Sequence, residues 1–294
     1  MSYKFEFYDL DDKKKSNNIN FIFNDWDNNE NVVIFSPHDD DCVLGAGYAI
    51  LSSLQNNAKV YIIIFHDGSA GYSQPELKGE IVEIRKKETI NALRVLGIDK
   101  ENIFRLDIPD FSGIYYLGWK FPWTSDGKEE NEGLFSKLVS LLREIKATRL
   151  IIPNGYLEHI DHTATFLSGI FTSPQAGDAI IVDYGAPQKI KSFLQYSVWG
   201  EFSPENALIK KRNISIRGNR AIVVNKEVED TIIKSIMEFK TQQEIISYIL
   251  GVRKGRKITN EENYVEIYLE MDPRPRVDYN PYKDLILKIN KNNK

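Results

Sequence analysis

The feature that most constrains this chain is an alternation of two patterns. Short apolar runs, Val32–Phe35, Lys59–Phe65, Asn102–Leu106 and Arg149–Ile152, are separated by segments with helical spacing of their large apolar residues. Val43–Leu54 is the first such segment. Glu80–Leu96 is the second, closed by Gly97 as a C-cap, and Leu134–Ile145 is the third. A further helix starts near His162, and Ala179–Val182 reads as a fifth strand. Continuous apolar runs of strand length, each followed by a helix, belong to strands covered on both faces. The expected class is therefore α/β: an open, Rossmann-like, mostly parallel sheet with helices on both faces.

The ends of the chain read differently. Tyr3–Tyr8 alternates like an added edge strand, while the Lys/Asn-rich final residues read as fraying. From about residue 184, strand-like pieces (Ser192–Val198, Ile214–Ile216, Ala221–Val224, Tyr264–Leu269) mix with one long helical stretch, Val228–Leu250. No repeat or low-complexity linker divides them from what precedes. The expectation is a single domain over 1–294, with a core of about 31–183 and a mixed α+β C-terminal extension of about 184–294.

Charge and cysteine usage narrow the function classes. A net charge of −4, with no Lys/Arg run that suggests a polyanion partner, argues against nucleic-acid binding. The densest basic cluster, Arg253, Lys254, Arg256 and Lys257, reads as a solvated loop or as a patch for an anionic group on a substrate. Cys42 is the sole cysteine, which precludes an internal disulfide framework and favours a reducing compartment. The N-terminus lacks an apolar h-region, and the longest apolar runs are too short to span a bilayer. The expected location is cytoplasmic, with no membrane span; a homo-oligomer is compatible with all of this.

The chemistry gathers at the strand ends, where open α/β sheets bind ligands. His38 follows the first strand, His66 the second, and His159 and His162 the fourth. A lone histidine near an apolar strand is more often a satisfied structural residue, but four in such places favour a site. In S-P-H-D-D-D-C-V-L-G, His38 and Asp41 stand as H-x-x-D at a strand-to-helix turn, and His162 ends H-I-D-H. Two imidazoles and one carboxylate with an open position form the donor set of a catalytic zinc site. A cation would also offset the mutual repulsion of Asp39, Asp40 and Asp41. The competing reading is a solvated acidic helix N-cap.

These residues resemble the H-P-D-D-E motif of the LmbE-like (PIG-L) family of zinc-dependent N-acetylglucosaminyl deacetylases. Other segments match in the family's order. F-H-D-G-S-A-G resembles its T-D-G-x-x-G loop, and I-R-K-K-E-T-I-N-A-L-R-V-L-G its R-x-x-E…A…L-G helix. L-D-I-P-D resembles the segment that supplies a substrate-contacting aspartate, and N-G-Y-L-E-H-I-D-H its H-P-D-H motif. The resemblance runs from about Val32 to Ile170, with a weaker echo in the late helix.

The resemblance implies a metal-dependent hydrolase that removes the N-acetyl group from an amino sugar or its conjugate. His38, Asp41 and His162 would hold Zn2+, or another divalent cation such as Fe2+. Asp40 would be the general base that activates the water. His159 would stabilise the oxyanion or protonate the leaving amine, and Asp161 would orient a histidine. Arg85 and Asp110, with His66 and Asp67 of the loop after the second strand, would contact the small-molecule sugar. Asp39 stands where the family usually has proline, Cys42 where it usually has an acid, and Ile160 where proline is common. Cys42, one residue past Asp41, is expected to point into helix packing. The aromatic run Phe111, Tyr115, Tyr116, Trp119, Phe121 and Trp123 suits either a sugar platform or a loop anchor. The alternatives are an amidase for a larger amide of an amino-sugar conjugate, a two-metal phosphoesterase, and a non-catalytic carbohydrate-binding relative.

Overall fold

Period-two alternation within the buried runs decides how the chain layers. Val32 and Ile34 enter one apolar core together with Val60, Ile62 and Ile64. Their neighbours Val33, Phe35, Ile63 and Phe65 enter a second core. A sheet whose alternate residues fill two cores must carry cover on both faces.

A computed structural model describes residues 3–121, 131–258 and 262–292. In chain order the elements are β1 (Phe5–Asp9), β2 (Lys14–Ser16), β3 (Asn31–Ser36), α1 (Asp41–Gln55), β4 (Lys59–His66), α2 (Ile81–Val95) and β5 (Ile103–Ile108). Then come β6 (Lys120–Phe121), β7 (Asn131–Glu132), α3 (Leu134–Glu144), β8 (Arg149–Pro153), α4 (Ile160–Ala176) and β9 (Ser192–Tyr196). The remainder comprises α5 (Pro204–Ile209), β10 (Arg220–Asn225), α6 (Lys226–Ile236), α7 (Gln243–Arg253), β11 (Asn263–Glu270) and α8 (Asn280–Asn292). The first core is closed by α1, α2, α6 and α7, and the second by α3 and α4.

The nine-stranded sheet runs β2-β1-β10-β11-β9-β8-β3-β4-β5, and β6 pairs with β7 separately. From β9 to β5 all pairings are parallel. From β9 to β2 all are antiparallel. The sheet is thus mixed, not mostly parallel, because β10, β11 and the N-terminal strands continue it beyond β9. β1 is flanked by β2 and is not the edge.

The expected Ala179–Val182 strand is absent. Arg143 draws the carbonyls of Ala176, Asp178, Ile181 and Gly185 around its guanidinium, curling this segment into a 3-10 turn at Val182–Tyr184. The fifth parallel strand is β9. Ile214–Ile216 is also not a strand. The single helix expected over Val228–Leu250 breaks into α6 and α7, where the Glu88 carboxylate accepts the amide and hydroxyl of Thr241. The last residues form α8, an exposed helix, where fraying was expected.

The basic cluster at the end of α7 is only half solvated: Lys254 and Lys257 are exposed, but its two arginines are engaged. Arg253 is buried and forms a bidentate pair with Glu229, at 2.9 and 2.6 Å, while Arg256 pairs with Glu266. At the amino end of the parallel strands, fully buried Arg149 pairs with Glu30 at 2.7 Å and donates to the carbonyl of Asp25. That ion pair anchors the end of the sheet opposite the histidines.

Candidate metal centre

The first motif occupies the turn between β3 and α1. Ser36 Oγ donates to the His38 carbonyl at 2.6 Å and accepts the Cys42 amide at 3.0 Å, so one hydroxyl stitches the turn across the strand end. Asp40 is the N-cap residue of α1, and Asp41 opens the helix. Cys42 is fully buried, and burial together with the adjacent carboxylates pushes its thiol up to about 12. It is packing rather than a thiolate.

The second motif brings His162 to the same point from the first turn of α4. Asp41 Oδ2 lies 3.2 Å from His38 Nδ1 and 3.2 Å from His162 Nε2. Each ring is backed by a second carboxylate on its far nitrogen. His38 Nε2 faces Asp161 Oδ2 at 3.2 Å, and His162 Nδ1 faces Glu158 Oε2 at 2.6 Å. With its far nitrogen donating, each ring turns a lone pair toward Asp41. Two lone pairs and a carboxylate oxygen require a positive charge between them, which protons on the rings supply when no cation is bound. Burial disfavours protonated imidazole here, yet Asp161 and Asp41 raise His38 to about 10, and Asp41 with Glu158 raise His162 to about 9. Asp41 is held well below the usual carboxylate range by His162 and His38, against the effect of its burial.

The donor set fits a divalent metal on these grounds: one carboxylate oxygen and two imidazole nitrogens, all within 4.8 Å of one another, each imidazole oriented by an outer carboxylate. A second grouping, His38 with His159 and Asp161, brings its donor atoms within the same 4.8 Å and shares His38. Glu158 is the residue that sequence reasoning missed. Its signal was the i,i+4 spacing to His162 in E-H-I-D-H. Its other oxygen accepts Ser197 Oγ and the amides of Val198, Trp199 and Gly200, the last at 2.8 Å.

Asp39 has a structural role that the sequence did not reveal. It is fully buried, takes Arg85 Nε at 3.0 Å and Thr89 Oγ1 at 2.6 Å, and pairs closely with Arg105. Burial would raise its pKa, but Arg85 and Arg105 hold it below the ordinary value. Arg85 also reaches Asp40 Oδ1 at 3.5 Å. Asp40 itself is raised, by burial and by the Asp41 charge, with Arg85 opposing.

A cleft of about 230 Å3 lies over this cluster, lined by His38, Asp40, Asp41, Arg85, Asp110 and His159 among others. Asp110 accepts the amides of Gly68 and Ala70, and so shapes the loop after β4. Gly68 has φ +75°, and a Cβ there would meet Arg85 at 2.7 Å, so both the turn and the close approach require glycine.

Of the expected substrate contacts, Arg85 and Asp110 line the cleft, whereas His66 and Asp67 do not. His66 is fully buried beneath the site, with Nδ1 on the Pro37 carbonyl at 2.9 Å and Nε2 3.2 Å from Asp161; burial lowers its pKa. Asp67 caps the Ser69 amide. Their position at a strand end explains the expectation, and their inward or loop-capping orientation corrects it. His159 is the N-cap of α4, and its Nδ1 accepts the Asp161 amide at 3.3 Å. Burial and the neighbouring His38 lower its pKa.

Of the aromatic run, Phe111 lines the cleft, its ring 4.7 Å from that of His159. Tyr115 is solvent-exposed, Tyr116 packs on the second core, and Trp119 packs on Tyr184 at 5.2 Å. Trp123 and the Phe121 side chain lie outside the described residues. Three cleft residues come from beyond residue 184: Trp199, Gln242 and Ile245.

Comparison with known proteins agrees with the site. The model of the PIG-L family, GlcNAc-PI de-N-acetylase, matches residues 33–170. Diacetylchitobiose deacetylase of Thermococcus kodakarensis is 27% identical over 163 residues, 54% of this chain and 54% of that protein. The chain thus spans about half the length of that curated relative. N,N'-diacetylchitobiose deacetylase from Pyrococcus horikoshii superposes with a TM-score of 0.57 at 18% identity, covering 83% of this chain and 84% of that one. GalB, the 4-carboxy-2-hydroxymuconate hydratase of Pseudomonas putida, superposes equally well, with a TM-score of 0.57 at 14% identity over 85% and 99% of the two chains. At such identities these structures show a shared fold, and the fold alone does not select an activity. The family match covers both histidine motifs, and over residues 33–170 the chain is similar to the PIG-L (LmbE-like) family.

Proposed function

We propose that the protein is a metal-dependent N-deacetylase that hydrolyses the acetamide of an N-acetylated amino sugar or its conjugate. The observation that carries this reading is the convergence of His38, Asp41 and His162, with Asp40 and His159 on the adjoining cleft. Zn2+, or another divalent cation such as Fe2+, would be held by those three side chains. There it would polarise the amide carbonyl and acidify a water.

The remaining chemistry belongs to the chain. Asp40 lines the cleft beside the ligand set without being part of it, and its raised pKa suits a carboxylate that accepts a proton. It takes the proton of the attacking water and returns it to the departing amine, yielding acetate and a free amino group. His159 accepts a backbone amide at Nδ1, so its neutral ring carries the proton on Nε2. That N–H is the donor for the carbonyl oxygen as negative charge develops there. Asp161 and Glu158 fix His38 and His162 in the tautomers that face inward. Arg85 and Asp110, at the polar side of the cleft, are the candidate contacts for sugar hydroxyls. The deacetylase names among the relatives support this class, and the PIG-L match supports it over a hydratase.

We read residues 1–294 as one domain with the reaction confined to this cleft. Among the described residues no helix is long and apolar enough to cross a membrane. The test is a panel of N-acetyl sugars assayed for amine release with and without chelator. Chelator-sensitive release supports the reading. Zinc-loaded protein that releases no amine from any member refutes it.

A further inference from the structure

A second groove, of about 510 Å3, adjoins the catalytic cleft. The two share one wall residue, Trp199, which is 48% exposed. The cleft itself, at about 230 Å3, is below the ~300–1,000 Å3 of ordinary small-molecule sites, so a ligand larger than a single ring must leave it. Beyond Trp199 the groove presents Val198, Ile216 and Ile267 above the buried Phe202, with Ile216 52% and Ile267 37% exposed. Its cationic side chains are already engaged. Arg256 pairs with Glu266 and donates to the Leu44 carbonyl, and Arg217 donates to the carbonyls of Ile214 and Phe202. Apart from the exposed Glu201 carboxylate, what the groove offers a ligand is mainly apolar surface.

The backbone at Trp199 is also tied to the reacting centre. Its amide donates to Glu158 Oε1 at 3.1 Å, and the other oxygen of the same carboxylate holds His162.

We propose that this groove is an aglycone subsite, continuous with the cleft, and that the preferred substrates are N-acetyl amino-sugar conjugates with an apolar aglycone. This rests on the deacetylase reading for its chemistry and on Trp199 and Ile216 for its specificity. The test compares n-hexyl and methyl N-acetyl-β-glucosaminides at equal linkage, in wild type and I216S. The expected result is a KM about tenfold lower for the hexyl compound at similar kcat, with the preference largely lost in I216S. Equal KM values for the two glycosides, or a preference untouched by I216S, overturn the proposal.

Binding of the already deacetylated n-hexyl β-glucosaminide, measured by calorimetry, separates the two readings. If no acetamide is cleaved but this compound binds wild type about tenfold tighter than I216S, the subsite stands and the deacetylase reading falls. If it binds both alike, the subsite falls. Sedimentation of the same samples addresses a second copy as the occupant. A wild-type oligomer that I216S dissociates, with no hexyl advantage, also overturns the proposal.

Discussion

Replacing Asp39 by asparagine keeps its shape and removes its charge. Asp39 is fully buried between Arg85 and Arg105, with Thr89 donating to the same carboxylate. Deleting one partner of a buried ion pair typically costs about 3–5 kcal/mol, because the other charge remains desolvated. Two residual contacts reduce that here: Arg85 keeps Asp40 at 3.5 Å, and Arg105 keeps the half-exposed Asp107 at 2.9 Å. The lower end, about 3 kcal/mol, is expected for D39N. At roughly 2 °C per kcal/mol for a chain of this size, the melting temperature should fall by about 6 °C. Urea denaturation, which leaves ionic strength unchanged, measures the free energy directly. D39P restores the residue usual in the family but leaves both guanidinium groups without Asp39, and should fall at least as far. A D39N protein within about 0.5 kcal/mol of wild type, or a D39P protein more stable than it, would refute the claim that this network holds the turn.

Three further outcomes are expected. Glu158→Gln keeps an acceptor for the 198–200 amides but loses the second carboxylate oxygen that takes the His162 N–H, so metal affinity should drop about 10–100-fold in chelator competition. An unchanged affinity would contradict the orienting role. Asp40→Asn should bind metal as wild type does while kcat falls about 10²–10⁴-fold, and a variant with full kcat would exclude Asp40 as the base. Burial raises Glu30, yet hydrogen bonds from Arg149, Thr148 and the Asp27 amide outweigh this and lower it from 4.5 to about 2. Its folded pKa is depressed, so its stabilisation is present above pH 4.5 and is lost as pH falls toward 2. On the order of 3 kcal/mol should disappear across that window in wild type and not in Glu30→Gln, as followed by melting temperature against pH.

The parallel half of the sheet was legible because its strands are buried on both faces and write themselves as unbroken apolar runs. β3, β4 and β8 and the helices after them lie within a residue or two of their expected bounds. Two of the failures share one physical cause: side chains remote in sequence overrode local pattern. Arg143 curled the apolar Ala179–Val182 segment, and Glu88 capped a helix start inside what reads as one long helix. The inner cluster was legible since H-x-x-D and H-x-D-H carry their geometry in their spacing. Asp39 was not, because its partners Arg85, Thr89 and Arg105 lie 46 to 66 positions away. His66 misled for a simpler reason. A strand end places a residue near the site, but only the pleat decides whether its side chain faces the cleft or the core.

The two oxygens of Glu158 join segments that evolution could otherwise vary separately. One serves His162, inside the stretch that matches the family model, and the other serves the turn at 197–200, beyond it. Anyone grafting the C-terminal half of a relative onto this scaffold to change its substrate would also be altering the support of a metal ligand. Position 158 therefore has to travel with the graft, and the turn must arrive with its amides aimed inward. A chimera built at the boundary of the sequence match would sever this connection.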